Sequence, residues 1–390
     1  METSGNVVGV ARETFPGETR VATVPQSVAT LRKARVRVLV ERGAGEAAGY
    51  PDDAYGEHGA ELTDREAALG ADIVLQVRGL GANPDAGRAD LPLVHSGQLL
   101  IGVAEALSVP RAIADLAARG AIVFAMEMVP RIARAQSMDV LTSQSTVAGY
   151  KAVLLAAERL PKMFPMLTTA AGTVAPARVF VIGAGVAGLQ AIATARRLGA
   201  MVEAYDVRPA AQEEVESLGA KLVPLPLEPG TAEDASGYAK ALGEAFYRRQ
   251  QEHLDAVVAG VDVVVSNAAI PGVRAPVLLT EKGVAAMAKG SVVVDLAAAR
   301  GGNCALTVPD REVVAHGVTI LGPTNLPATV PFHASQLLSR NLANFVVSLM
   351  HEGVIAPDWD DEIVRATLVA RGGKILNDRV REALREVSVA

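Results

Sequence analysis

The stretch Val179-Phe-Val-Ile-Gly-Ala-Gly-Val-Ala-Gly-Leu-Gln limits what this chain can fold into more than any other, because an apolar run of strand length breaks into three glycines and resumes as a helix. In that setting Gly183 makes a tight turn, Gly185 lets the backbone approach a pyrophosphate, and Gly188 lets the helix pack closely on the strand. The helix start, entered through Ala184 and Val186, offers unpaired N–H groups and the positive end of its dipole to phosphate oxygens. A GxGxxG match alone is weak. Here a second run, 201–205, follows and ends on Asp206, eighteen residues after Gly188, where a carboxylate can accept both hydroxyls of a ribose. It would repel a 2′-phosphate, so NAD(H) is expected rather than NADP(H). Arg208 reads either as a solvated arginine or one lying along the adenine, or as a partner for a 2′-phosphate. An earlier Gly43-Ala-Gly45 with Gly49 has GxGxxxG spacing and no acid-ended strand after it, and reads as a structural loop.

The same alternation of short β-rich runs with Ala/Leu/Arg-rich stretches at helical period fills most of the chain, the pattern of parallel sheets covered by crossover helices. Strands are expected at 7–11, 37–41, 73–77, 99–103 and 122–126, then at 179–182, 201–205, 221–224, 261–267, 291–296 and 318–321. The expected fold class is α/β: two Rossmann-like, doubly wound parallel-sheet lobes joined by long helices, one of them at 147–160. The lobes are expected at 1–140 with a returning segment 335–390, and at 141–334. A turn at Gly372-Gly373 should return the tail to the first lobe. The turn-rich stretch 228–237 exceeds the usual ~2–6 residues of an α/β connection, so a mobile functional loop is expected there.

A length of 390 residues suits two or three domains at roughly 150 residues each. The net charge of −6 is spread along the chain and no basic cluster alternates with aromatics, which argues against nucleic acid. The apolar runs are far shorter than the ~20 residues of a spanning helix, so no direct membrane insertion is expected. One cysteine, Cys304, and no basic-then-apolar start point to a reducing, cytoplasmic setting. The six histidines form no i, i+4 ligand pair, Cys304 reads as structural, and no metal site is expected.

Six further segments are distinctive: Pro130-Arg-Ile-Ala-Arg-Ala-Gln-Ser-Met-Asp-Val-Leu-Thr-Ser-Gln-Ser, Ala170-Ala-Gly-Thr-Val-Ala-Pro-Ala-Arg, Asp206-Val-Arg, Ser236-Gly-Tyr-Ala-Lys, Ile270-Pro-Gly and Gly301-Gly-Asn-Cys. Together, over about residues 7–350, they resemble the NAD(H)-binding domain of proton-translocating NAD(P) transhydrogenase, a family related to alanine dehydrogenase. The resemblance implies a transhydrogenase of the Si-specific type, active only with partners: hydride passes from NADH to NADP+ on a partner subunit that binds NADP(H), coupled to proton translocation. The chain ends at Ala390, which resembles the arrangement in which the first alpha polypeptide is separate. The implied partners are a second copy, as a homodimer, a membrane-spanning alpha-2 subunit and an NADP(H)-binding beta subunit. The implied place is cytoplasmic, peripheral at the inner face of the plasma membrane.

Residue by residue, the resemblance places Arg131, Gln136, Asp139 and Thr142 around the nicotinamide, with Ile132, Ala133, Ser137 and Met138 beside them. The family's usual residue at Thr142 is serine, and threonine keeps the hydroxyl. Arg131, Gln136 and Asp139 are expected to position the ring for hydride transfer. Ala184, Gly185 and Val186 match the pyrophosphate turn, and Asp206, Val207 and Arg208 the adenosine ribose. Gly237 and Tyr238 match a loop that closes over the nucleotide. Gln250 and Ala269 match further contacts, although the family usually has leucine at Ala269. NAD(H) is expected in the cleft between the lobes, against the second.

The rival is an alanine-dehydrogenase-like deaminase, with a non-catalytic NAD-binding module as a third reading. Oxidative deamination must hold a carboxylate and move protons on nitrogen and water. Arg20 resembles that family's carboxylate-binding arginine. Where it has lysine, histidine and a catalytic aspartate, however, this chain has Arg78, Val103 and Ala299. Hydride transfer between two nicotinamides needs only near-attack geometry and exclusion of water.

Overall fold

A computed structural model of the chain describes residues 6–224, 244–269 and 274–389. It divides into two compact units: Met1–Gln144 with Pro327–Ala390, and Ser145–Leu326. Strands β1 (Val7–Val10), β2 (Arg37–Glu41), β3 (Glu61–Thr63), β4 (Ile73–Arg78), β5 (Leu99–Val103) and β6 (Ile122–Ala125) begin the first unit. In the second, a hairpin of β7 (Leu167–Thr169) and β8 (Gly172–Val174) precedes β9 (Arg178–Ile182), β10 (Met201–Tyr205), β11 (Lys221–Leu222), β12 (Val263–Ser266), β13 (Val292–Asp295), β14 (Glu312–Ala315) and β15 (Val318–Leu321). The returning chain adds the pair β16 (Met350–His351) and β17 (Val354–Ile355), then β18 (Leu368–Arg371) and β19 (Lys374–Ile375).

Each unit is an α/β sheet of the doubly wound kind. The first has the order β19-β18-β6-β5-β4-β1-β2-β3 and the second β11-β10-β9-β12-β13-β15-β14. Successive strands move outward from β1 and then from β4, and in the second sheet from β9 and then from β12. The strand order therefore reverses between β1 and β4 and between β9 and β12, where such folds open a crevice at the carboxyl ends of their strands. Central strands are buried on both faces: every residue of β12 and β13 is buried. That explains why they read as continuous valine runs instead of alternating ones. An apolar cluster lies on each face of both sheets.

The expectation of purely parallel sheets is corrected at the edges. Strand β14 runs antiparallel to β15, because Ala315 and Val318 are joined only by His316 and Gly317, both at positive φ (54° and 82°), a two-residue turn that leaves no room for a crossover. Strands β18 and β19 are joined likewise by Gly372 and Gly373, and β18 pairs antiparallel with β6, so the tail returns to the first sheet. The short strand β3, three residues long, was not expected from the sequence.

The long helix Pro331–Ser348 starts with proline at its first turn and buries Leu338, Leu342, Phe345 and Val346 at helical spacing in the core of the first unit. Its hydroxyls serve the loop after β1: Ser335 Oγ accepts from Val21 N–H and Ser339 Oγ from Val24 N–H, both at 3.0 Å. Phe345 meets Phe124 of β6 edge to face, centroids 5.3 Å apart. Among the described residues, no helix is long and apolar enough to cross a membrane. Phe345→Ala should lower the unfolding free energy of the first unit by about 3–5 kcal/mol, read as a lower urea midpoint at unchanged slope.

Candidate functional site

In the second unit β9 ends at Ile182 and the chain turns through Gly183, at φ 93°, a conformation that side chains rarely adopt. The helix Val186–Arg197 then rises from Gly185 with no side chain capping it, which leaves its first N–H groups to a ligand or to water. A Cβ on Gly188 would fall 1.9 Å from Gly183 O, so only glycine lets helix and strand come this close. A Cβ on Gly185 would meet just Asn267 Oδ1 among the described residues, at 4.0 Å, leaving its face open to a bound group. Ala184 is buried and Val186 half-buried.

Asp206 follows β10 and closes this turn from the side. Its Oδ2 accepts from Ala184 N–H at 2.7 Å, and its Oδ1 from Arg208 N–H at 2.8 Å. The Arg208 guanidinium folds back on the same carboxylate, Nε to Oδ1 at 3.0 Å and Nη2 to Oδ2 at 3.1 Å, and donates to Ala184 O at 3.2 Å. Arg208 is thus ion-paired to the acid of the turn instead of standing in solvent. Val207 is half-buried against the apolar face below. Gln250, almost fully buried, donates from Nε2 to Tyr205 Oη at 2.8 Å and leaves its Oε1 with no partner among the described residues. Ala269 is exposed. Gly237 and Tyr238, with the loop expected at 228–237, lie outside the described residues.

These groups fit a dinucleotide. The uncapped helix start and the open Gly185 face suit a pyrophosphate, a carboxylate at the end of β10 suits ribose hydroxyls, and the Gln250 Oε1 orphan is a buried acceptor beside that same strand.

In the first unit the string Arg131–Thr142 wraps a short 3-10 helix, Ala133–Met138. Ala135 and Met138 are buried in the core and Ile132 packs against it, while Arg131, Ala133, Gln136 and Ser137 are exposed. Three contacts hold the segment. Asn341 and Asn344 both donate to Ser137 O, at 2.9 and 3.1 Å, and Arg134 ion-pairs with Asp361 at 2.6 Å. Asp139 caps the helix Val140–Arg159, accepting from Thr142 N–H at 2.9 Å and Thr142 Oγ1 at 2.5 Å. The hydroxyl at Thr142 is therefore spent within the string.

The rival reading's arginine is also occupied. Buried Arg20 binds Glu18 through Nε and Nη2, both at 2.7 Å, and gives Nη1 to Gln144 Oε1 at 2.8 Å. Arg78 donates to the same Glu18 at 2.9 Å and stacks 4.1 Å from the Phe15 ring centroid. Burial works against the Glu18 carboxylate, but the hydrogen bonds and charges of Arg20 and Arg78 bring it down to about 2. Neighbouring Glu13 has no such cation at hydrogen-bond distance; burial pushes it up to about 7 despite donors at Val77 N (2.6 Å) and Arg78 N (3.3 Å).

Sequence reasoning missed Glu18 and Gln144 as partners of Arg20, and it missed Asn267, whose Nδ2 donates to Gly183 O at 2.7 Å. Asn267 was visible as the polar end of an apolar run, but nothing in the run says its amide turns onto the first glycine.

Fold and turn together define a dinucleotide-binding α/β protein of the NAD type. Residues 9–148 match the alanine dehydrogenase/PNT N-terminal domain and residues 152–378 the alanine dehydrogenase/PNT C-terminal domain. The chain is 44% identical over 375 residues to the first of the separate polypeptides that make up the NAD(P) transhydrogenase alpha subunit of Rhodospirillum rubrum, covering 95% of this chain and 97% of that one. The solved transhydrogenase from Sinorhizobium meliloti superposes with TM-score 0.84 at 40% identity, over 95% of this chain and all of that one. An L-alanine dehydrogenase superposes with TM-score 0.81 at 26% identity, covering 98% and 99%. The chain belongs to the alanine dehydrogenase/PNT family, and within it to the NAD(P) transhydrogenase alpha subunits that its motifs resemble.

Two outcomes follow from this geometry. Asp206→Ala should weaken NADH binding about tenfold or more in a fluorescence titration and narrow the preference for NADH over NADPH, since the turn loses its closing carboxylate. Glu13 has a folded pKa above its ordinary 4.5, so its contribution favours the fold below pH 4.5 and fades as pH rises through about 7. Glu13→Gln, which mimics the protonated acid, should flatten the urea-midpoint profile between pH 4.5 and 7.

Proposed function

We propose that this chain is the NAD(H)-binding component of a proton-translocating NAD(P) transhydrogenase. In this reading hydride passes from NADH on this chain to NADP+ held by a partner beta subunit, and a membrane-spanning alpha-2 subunit carries the protons. The observation that carries it is an NAD-type turn in a chain whose deaminase positions lack proton-moving groups. Val103 and Ala299 have nothing to titrate, and Arg20 is already committed to Glu18 and Gln144. A deaminase must protonate nitrogen and activate water. Hydride exchange between two nicotinamides asks the protein only to position and to exclude water.

The bound NADH supplies the hydride; the chain's residues hold it. Gly183, Ala184, Gly185, Val186 and Gly188 take the pyrophosphate, and Asp206, Val207 and Arg208 the adenosine ribose. Arg131, Gln136 and Asp139, with Ile132, Ala133, Ser137, Met138 and Thr142, position the nicotinamide. Gly237, Tyr238, Gln250 and Ala269 complete the site. The contacts on Ser137 and Arg134 support this role, since a positioning group needs a rigid base. The Rhodospirillum relative is named as one portion of a subunit, which supports a multi-subunit assembly.

The β7–β8 hairpin supports the homodimer. All its residues are exposed, with Leu167 and Val174 among the exposed large hydrophobics and Met166 just before it 64% exposed. A lone two-stranded ribbon of this kind is marginal in water and gains stability when a second copy covers it. Peripheral attachment at the inner membrane face follows from the membrane partner.

Purified chain should bind NADH yet leave alanine and NAD+ unchanged. In a complex reconstituted with its partners, Gln136→Asn should keep NADH affinity within about twofold and slow hydride transfer at least tenfold, as expected for a misplaced ring. Steady alanine-dependent NADH formation by the chain alone would overturn the reading.

A further inference from the structure

Strand order in the second unit puts β10 on one side of β9 and β12 on the other. A dinucleotide lying across the carboxyl ends of these strands, with one ribose at Asp206 after β10, carries its second nucleoside over the end of β12. Asn267 is the first residue past that end. Its backbone N–H donates to Ile182 O at 2.9 Å, and its Nδ2 donates to Gly183 O at 2.7 Å and Ile182 O at 3.1 Å. Two carbonyls on one end of the amide assign that end as NH2. Its Oδ1 is then directed to the glycine turn's open side, 3.3 Å from where a Cβ on Gly183 would stand and 4.0 Å from one on Gly185. No described residue donates a hydrogen bond to it.

The loop that carries Asn267 is fixed from behind. Fully buried Asn303 donates from Nδ2 to Ala268 O at 2.8 Å and Pro276 O at 2.9 Å, and accepts Ala268 N–H on Oδ1 at 2.9 Å. Its own N–H is bound by Asp295 Oδ2 at 2.7 Å. One side chain thus satisfies both backbone groups of Ala268 and sets the height of Asn267 on one side and Ala269 on the other.

We propose that Asn267 is a nucleotide-contacting residue that also locks the glycine turn: its NH2 holds the Gly183 carbonyl, and its Oδ1 accepts from a hydroxyl of the nicotinamide-side ribose, with Asn303 as the residue that positions it. The inference rests on the NAD(H) reading of the turn. A pyrophosphate has no proton to give an acceptor, whereas a ribose offers two hydroxyls.

The test is calorimetric titration of the purified full chain with NADH, with ADP, and with an NADH analogue lacking both hydroxyls on the nicotinamide-side ribose. Asn267→Ala should weaken NADH about tenfold, the scale of one lost hydrogen bond, and leave ADP within about twofold, because ADP has no second nucleoside. The analogue should bind wild-type chain about tenfold more weakly than NADH, and bind Asn267→Ala no worse than NADH does. Asn303→Ser should weaken NADH more than ADP. Equal losses for NADH and ADP would mean that Asn267 only supports the turn, and would overturn the proposal, as would unchanged NADH affinity. Wild-type chain that bound no NADH would overturn the NAD(H) reading and this inference together.

Discussion

The nucleotide face of the second unit depends on how closely the helix Val186–Arg197 approaches the end of β9. A methyl group at Gly188 would sit 1.9 Å from Gly183 O, so the absence of that methyl brings the uncapped helix start level with the strand end. The rest is built around this approach. Asn267 ties down the carbonyl of Gly183, and Asp206 ties down the N–H of Ala184. Two neighbouring strands thus each send one side chain to the turn, and the backbone between them has little freedom left. A preset cradle of this kind lowers the ordering cost of binding.

The first unit shows a different economy. Glu18 is fully enclosed and stays ionised because two arginines share it, and Gln144 takes the remaining donor of Arg20. A buried carboxylate between two guanidiniums is costly to disturb, since removing either partner strands a charge. That network occupies the arginine a carboxylate substrate would use. Residues of the Arg131–Thr142 string that face outward, Gln136 and Arg131, are presented by backbone held through Ser137 O, the Arg134–Asp361 pair and the Asp139 cap.

Much of this was legible in the sequence, and the reason lies in the physics of each element. Buried parallel strands such as β12 and β13 must be apolar on both faces, so they stand out as valine runs. The glycine turn is legible because three positions demand glycine for three separate reasons, and the closing Asp206 sits a fixed distance on. Edge strands were less visible: β3 has three residues, and β14 alternates between exposed and half-buried positions, so neither offers a long apolar run. Side-chain relays were not legible at all. Nothing in the spacing of Asn303 from Ala268, or of Glu18 from Arg78, says that an amide or a carboxylate closes between them, because those contacts are set by the packed loops and not by a period.

Direct hydride exchange with a second nicotinamide, in which no protein acid or base takes part, is what would separate this chain from a deaminase of the same fold. It is tested most directly by isotope tracing in the reconstituted complex, with NADH carrying deuterium at the transferred position of C4 and NADP+ as acceptor. Full retention of deuterium in the reduced acceptor, with none appearing in water, is the expected result. Loss of the label to solvent, or reduction of the acceptor with hydrogen from water, would contradict direct transfer.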